Sequence, residues 1–245
     1  MRKSKSVRRL GKLRQTIKLK MKFFPKLLLA LLACNQAVHA ASVTLYNTGV
    51  DSAGSQLPGG AIDPHWQIVS GPGISSPVPA VVVSNQNSGL INWYIQTLDS
   101  RWIWADQSGV AIFDAPYTFQ FVFDLTGIDP ATVSLSGLWG VDNIGFIRLN
   151  GSTTGIGTGI LSLPDVIEEN YQSLYSFKLD SGFLPTINTL EFVSTDSGGI
   201  GGLNISGLTM TVDVPEPTAL LAQSVVAAWA VSPIWRRSRR PLKVR

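Results

Sequence analysis

The amino-acid sequence predicts an all-β chain, with a single β-sandwich domain of jelly-roll-like build over residues 41–213. Three observations carry that reading. Between Ala41 and Asp213 apolar and polar residues alternate with period 2, and no stretch of useful length holds a 3.6-residue period. Turn-forming clusters interrupt the alternation at short intervals, as at Asp129-Pro130, Asn150-Gly151, Asp180-Ser181-Gly182 and Ser197-Gly198-Gly199. About ten short strands punctuated in this way suit a two-sheet sandwich or jelly roll. A domain of about 170 residues buries roughly two-thirds of its unfolded surface, so it needs no disulfides to fold.

The clearest strand is 117–124, where Tyr117, Phe119, Phe121 and Phe123 share one face and mostly polar residues take the other. Further strands are predicted at 42–46, 66–69, 80–84, 102–104, 132–139, 144–149, 173–179, 189–194 and 206–213. In the last of these Leu208, Met210 and Val212 form an inward row. The glycine-rich run 151–159 reads as a flexible loop: its Gly-x-Gly follows an Asn-Gly turn and does not open a helix, as a dinucleotide fingerprint requires.

Charge is distributed by position. The chain has 245 residues and a formal net charge of +4, but eleven of its 20 Lys and Arg lie in residues 1–26 and six in the last ten. The domain keeps only Arg101, Arg148 and Lys178 against fifteen acids, a formal balance of −12. Nucleic-acid binding is excluded, because affinity for phosphate backbones rests on Lys and Arg. One Cys excludes a disulfide framework or a Cys-rich metal site.

Residues 1–40 read as a basic extension and a signal peptide. From Met21, the favoured start, a basic segment precedes seven apolar residues, 27–33, and then small residues ending Val38-His39-Ala40; signal peptidase would cut between Ala40 and Ala41. Leu31-Leu32-Ala33-Cys34 is similar to a bacterial lipobox; the alternative is a Cys discarded with the signal. At the other end, residues 218–235 are uncharged and mostly apolar, the short limit for a transmembrane helix. Arg236, Arg237, Arg239 and Arg240 follow, and such a cluster holds its side of the membrane in the cytoplasm. Residues 241–245 are a basic tail.

Taken together, Pro215-Glu216-Pro217, the apolar stretch and the Arg cluster resemble the PEP-CTERM sorting signal of Gram-negative bacteria, here over 214–240. The resemblance implies recognition of Pro215, Glu216 and Pro217 by an exosortase, transient anchoring in the inner membrane, and release to the cell surface or an exopolysaccharide matrix. Trp229, Pro233 and Trp235 depart from the family's usual Leu, Gly and Ala. A plain C-terminal anchor is the alternative.

Within the domain, Leu45–Asp51, Asp63-Pro64-His65-Trp66, Leu138–Asn143, Ile147–Gly151 and Phe183–Phe192 are similar to galactose-binding-like jelly rolls attached to glycosidases and other secreted proteins. That resemblance implies the sandwich fold and contact with carbohydrate.

Catalytic patterns are scarce. The domain has no Cys and no His-Glu-x-x-His, Gly-x-Ser-x-Gly or P-loop motif, and Asp63-Pro64-His65-Trp66 reads as a turn entering a strand. Adjacent Glu168 and Glu169 do not make a glycosidase pair. Tryptophan offers a flat apolar face suited to a sugar ring. Trp102 and Trp104, on one face of a strand, are therefore either a ligand platform or core. Asp142 and Asn143 are either part of a ligand site, with oxygens for a structural calcium, or an Asx turn. No other cofactor is expected. The resulting expectation is an exported, non-enzymatic envelope or matrix protein in contact with extracellular polysaccharide. The rival is a cell-surface hydrolase built on dispersed acids and His65.

Overall fold

A computed structural model describes residues 43–84, 93, 99–164 and 170–213. The segment expected to be a signal peptide, the Pro-Glu-Pro motif and the stretch 218–235 lie outside the described residues. Among the described residues, no helix is long and apolar enough to cross a membrane.

The described chain is all-β. Its strands are β1 (Ile62–Ser70), β2 (Val78–Val82), β3 (Ile103–Trp104), β4 (Pro116–Asp124), β5 (Val133–Asp142), β6 (Ile144–Leu149), β7 (Gly157–Gly159), β8 (Ser162–Leu163), β9 (Tyr175–Leu179), β10 (Ile187–Thr195) and β11 (Gly202–Val212). They form one antiparallel sheet in the order β7-β9-β5-β11-β3-β2-β1-β4-β10-β6-β8.

Two separate sheets were expected, and the structure corrects this. The two-residue strand β3 joins the halves: Ile103 pairs with Leu203 of β11 and Val82 of β2, and Trp104 pairs with Val81. The continuous sheet then curls onto itself. Phe177 of β9 and Phe192 of β10 lie seven strands apart in the hydrogen-bonded order, roughly 34 Å along a flat sheet. Their ring centroids are nevertheless 5.7 Å apart, edge to face. Trp139 of β5 meets the same phenylalanine at 5.4 Å. Two layers thus share one core, with the strongest alternation, that of β4, supplying Tyr117, Phe119, Phe121 and Phe123 to its interior.

Most strands stand where period 2 places them. The described part of the segment predicted at 42–46 has no strand ladder. Its anchor comes just afterwards at Thr48, whose N–H donates to the Ile205 carbonyl at 3.1 Å while its Oγ1 accepts from the Ile205 N–H at 3.0 Å. Strands β7 and β8 were not predicted. A Cβ on Gly157 would lie 1.9 Å from the Lys178 carbonyl oxygen, so only glycine lets this edge close on β9. The glycines read as loop material are what permit the pairing.

Candidate functional site

The candidate site lies on the outer face of β1, β4, β10 and β6, neighbours in the sheet. It begins as a cleft of about 500 Å³ lined in part by Asp63, His65, Gln67, Pro79, Gln120 and Val122. Local sequence explains how its floor is held. Asp63 is buried, and its carboxylate accepts the N–H groups of Gly49 at 2.6 Å, His65 at 2.8 Å and Trp66 at 3.0 Å. This fixes an irregular stretch of β1, where the register with β2 shifts between Ile62 and Gln67. Burial raises the Asp63 pKa, and the three N–H donors oppose that rise.

The same stretch turns Trp66 inward and His65 outward. Trp66 is fully buried, and its Nε1–H donates to the Tyr46 carbonyl at 3.1 Å. The His65 ring stacks on the Tyr46 ring, with centroids 3.4 Å apart and planes 1° from parallel. His65 Nε2 is buried and has no hydrogen-bond partner among the described residues.

From the cleft a polar row crosses the sheet. Gln67 on β1 is in register with Gln120 on β4, Gln120 with Glu191 on β10, and Glu191 with Arg148 on β6. Gln67 Nε2 donates to Gln120 Oε1 at 2.9 Å, and Gln120 Nε2 donates to Glu191 Oε1 at 3.0 Å. Arg148 Nε stands 3.8 Å from Glu191 Oε2, an ion pair longer than a hydrogen bond, and its guanidinium lies 5.3 Å from the centre of the Phe146 ring. On one flank of the row Thr118 and Val193 are buried; on the other Val122 is 44% and Ile187 53% exposed. The row therefore opens to solvent beside apolar surface.

These four residues were missed as a site. The available signal was weak: each is a polar outward position in an alternating strand, which any half-exposed sheet contains. Only register brings them into line.

Elsewhere the predicted residues separate. Trp102 and Trp104 are both 0% exposed, so the platform reading is corrected: the two rings are core. Trp102 stacks on Trp93 with centroids 4.7 Å apart, and Trp104 packs on Tyr117 and Phe119. Asp142 is also buried, and one carboxylate oxygen accepts Trp93 Nε1–H at 2.7 Å. Burial, reinforced by the nearby Asp196 carboxylate, pushes its pKa up to about 7. The peptide bond between Asp142 and Asn143 is cis, and Asn143 Oδ1 accepts the Ser197 N–H at 2.9 Å. One side-chain oxygen of each residue thus already accepts a protein N–H. Among the described residues, no group of three or more His, Cys, Asp or Glu stands ready to hold a metal ion. Ala40, Ala41, Cys34, Pro215, Glu216 and Pro217 lie outside the described residues.

No family model and no curated protein matches this chain. Among solved structures, it is similar to a family 35 carbohydrate binding module from an environmental isolate, at 12% identity and a TM-score of 0.31, over 60% of this chain and 92% of that one. It is also similar to a β-glucosidase from Kluyveromyces marxianus, at 12% identity and a TM-score of 0.29, over 78% of this chain and 20% of that one. Likenesses at this level carry no function across.

Proposed function

We propose that this chain is an exported, non-enzymatic protein of the cell envelope or exopolysaccharide matrix, which contacts carbohydrate through the outer face of β1, β4, β10 and β6. The observation that carries the reading is the row Gln67, Gln120, Glu191 and Arg148 beside the exposed Val122 and Ile187. Carbohydrate recognition needs polar groups that exchange hydrogen bonds with hydroxyls next to apolar surface that meets C–H faces. Glutamine side chains present donor and acceptor together. The galactose-binding-like jelly-roll resemblance points the same way, as does the paired arrangement of an N-terminal export signal and a Pro-Glu-Pro ending. In this reading signal peptidase removes the leader and an exosortase processes the tail of a chain held transiently at the inner membrane.

The hydrolase rival centres on His65, and the local wiring disfavours it. In a Ser-His-Asp arrangement an acid orients the histidine ring. Asp63, two residues away, spends its carboxylate on three backbone N–H groups, while the His65 ring stacks on Tyr46.

The test is retention of the full chain, in mild detergent, on immobilised polysaccharides, with Gln120→Ala as the control for this face. Binding that Gln120→Ala weakens at least tenfold supports the reading. Binding unchanged in that variant, or hydrolysis of the polysaccharide, overturns it.

A further inference from the structure

The geometry of the row points to a more specific ligand, and the inference rests on the carbohydrate reading above. We propose that the row is a cross-strand track for a linear, uncharged glycan, laid perpendicular to the strands with about one sugar unit over each.

Spacing comes first. The four side chains come from four successive strands in direct register. Neighbouring strands are about 4.8 Å apart, so the row repeats at that interval and extends about 14 Å. The interval is close to the length that one 1,4-linked pyranose adds to an extended chain. A ligand running along the strands would meet no such repeat, because the next outward positions differ in character: Val122 and Thr189 on one side, Thr118, Val193 and Phe146 on the other.

Hydrogen-bonding capacity comes next. Gln67 and Gln120 each use one N–H within the row, leaving a second N–H on each amide. Gln67 Oε1 and the remaining lone pair of Gln120 Oε1 still accept. Each glutamine therefore offers a donor and an acceptor together, which is what a hydroxyl requires, while Glu191 adds acceptors and Arg148 adds donors. At the ends stand two further polar atoms, the buried Nε of Arg148 and Nε2 of His65, neither hydrogen-bonded among the described residues.

Charge selects against acidic polymers. Arg148 is the one basic side chain in the row, and Glu191 faces it at 3.8 Å. The domain around them carries a formal balance of −12 over residues 41–213. A polyanionic glycan would meet a neutralised cation in a repulsive field.

The experiment titrates the full chain with neutral β-1,4-linked glucose and mannose oligomers of one to six units, and in parallel with oligouronates of the same lengths. Affinity for at least one neutral series is expected to rise at least tenfold from the disaccharide to the tetrasaccharide and then level off. Oligouronates are expected to bind at least tenfold more weakly. Gln67→Ala and Gln120→Ala, each with an unchanged melting midpoint, should erase the gain with length. Equal affinity for all lengths, or a preference for oligouronates, overturns the track while leaving carbohydrate contact standing. No binding in any series, neutral or acidic, overturns both.

Discussion

The indole Nε1–H of Trp93 donates to the carboxylate of Asp142 across 2.7 Å, and both side chains are buried. Trp93 also stacks on Trp102 and lies over Gly202, where an added Cβ would come within 2.8 Å of both rings. A titratable group is thereby built into the tryptophan end of the core.

That burial sets a pH dependence of stability. The Asp142 pKa rises from 3.8 unfolded to about 7 folded, so its contribution is fully present below the unfolded value and is lost as pH climbs through about 7. Asp63 and Asp196 are raised by burial as well, with the same sign. The thermal midpoint is expected to fall between pH 5 and 7 and to level off above. Asp142→Asn should reduce that slope; melts of both proteins across the range check it, and parallel curves would contradict it.

Phe192 is the contact that ties the two layers together. Its ring meets Trp66 of β1 at 5.8 Å, Trp139 of β5 at 5.4 Å and Phe177 of β9 at 5.7 Å. Phe192→Ala is expected to cost about 3–5 kcal/mol. Urea unfolding followed by tryptophan fluorescence measures it, and a loss below about 1 kcal/mol would mean that the layers do not depend on this contact.

Gly157 and Gly202 are small because other atoms occupy the space. A Cβ on Gly157 would stand 1.9 Å from the Lys178 carbonyl oxygen. Gly157→Ala should detach β7 from β9, read as faster amide exchange at 175–179. Gly202→Ala should cost about 1–3 kcal/mol through crowding of Trp93 and Trp102, measured by the same urea melts.

Trp102 and Gln120 separate stability from recognition. Trp102→Ala should destabilise by about 3–5 kcal/mol. Gln120→Ala, on a half-exposed position, should stay within about 1 kcal/mol of the parent and lose glycan retention. A Trp102→Ala protein that melts normally but no longer binds would return that residue to the ligand site.

Processing is read from the two termini. Protein recovered from the matrix fraction of its native host should begin at Ala41 and end shortly after Pro217, as intact mass reports. A membrane-bound form retaining Arg245 would make residues 218–235 a permanent anchor.

By itself the amino-acid sequence determined most of the local structure. Period 2 is a property of the strand backbone, so the alternation of Tyr117, Phe119, Phe121 and Phe123 predicted both β4 and its buried face. Turn residues placed the breaks around β6, and strand 144–149 was legible to the residue. Tertiary structure alone decided which strands are neighbours. Nothing in Ile103-Trp104 shows that two residues join the layers into one sheet, because pairing depends on where distant chain segments arrive. The same holds for function. Trp102 and Trp104 read in sequence as either platform or core, and the curl of the sheet makes them core, while Gln67, Gln120, Glu191 and Arg148 are unremarkable until register sets residues 124 positions apart in a single line across four strands.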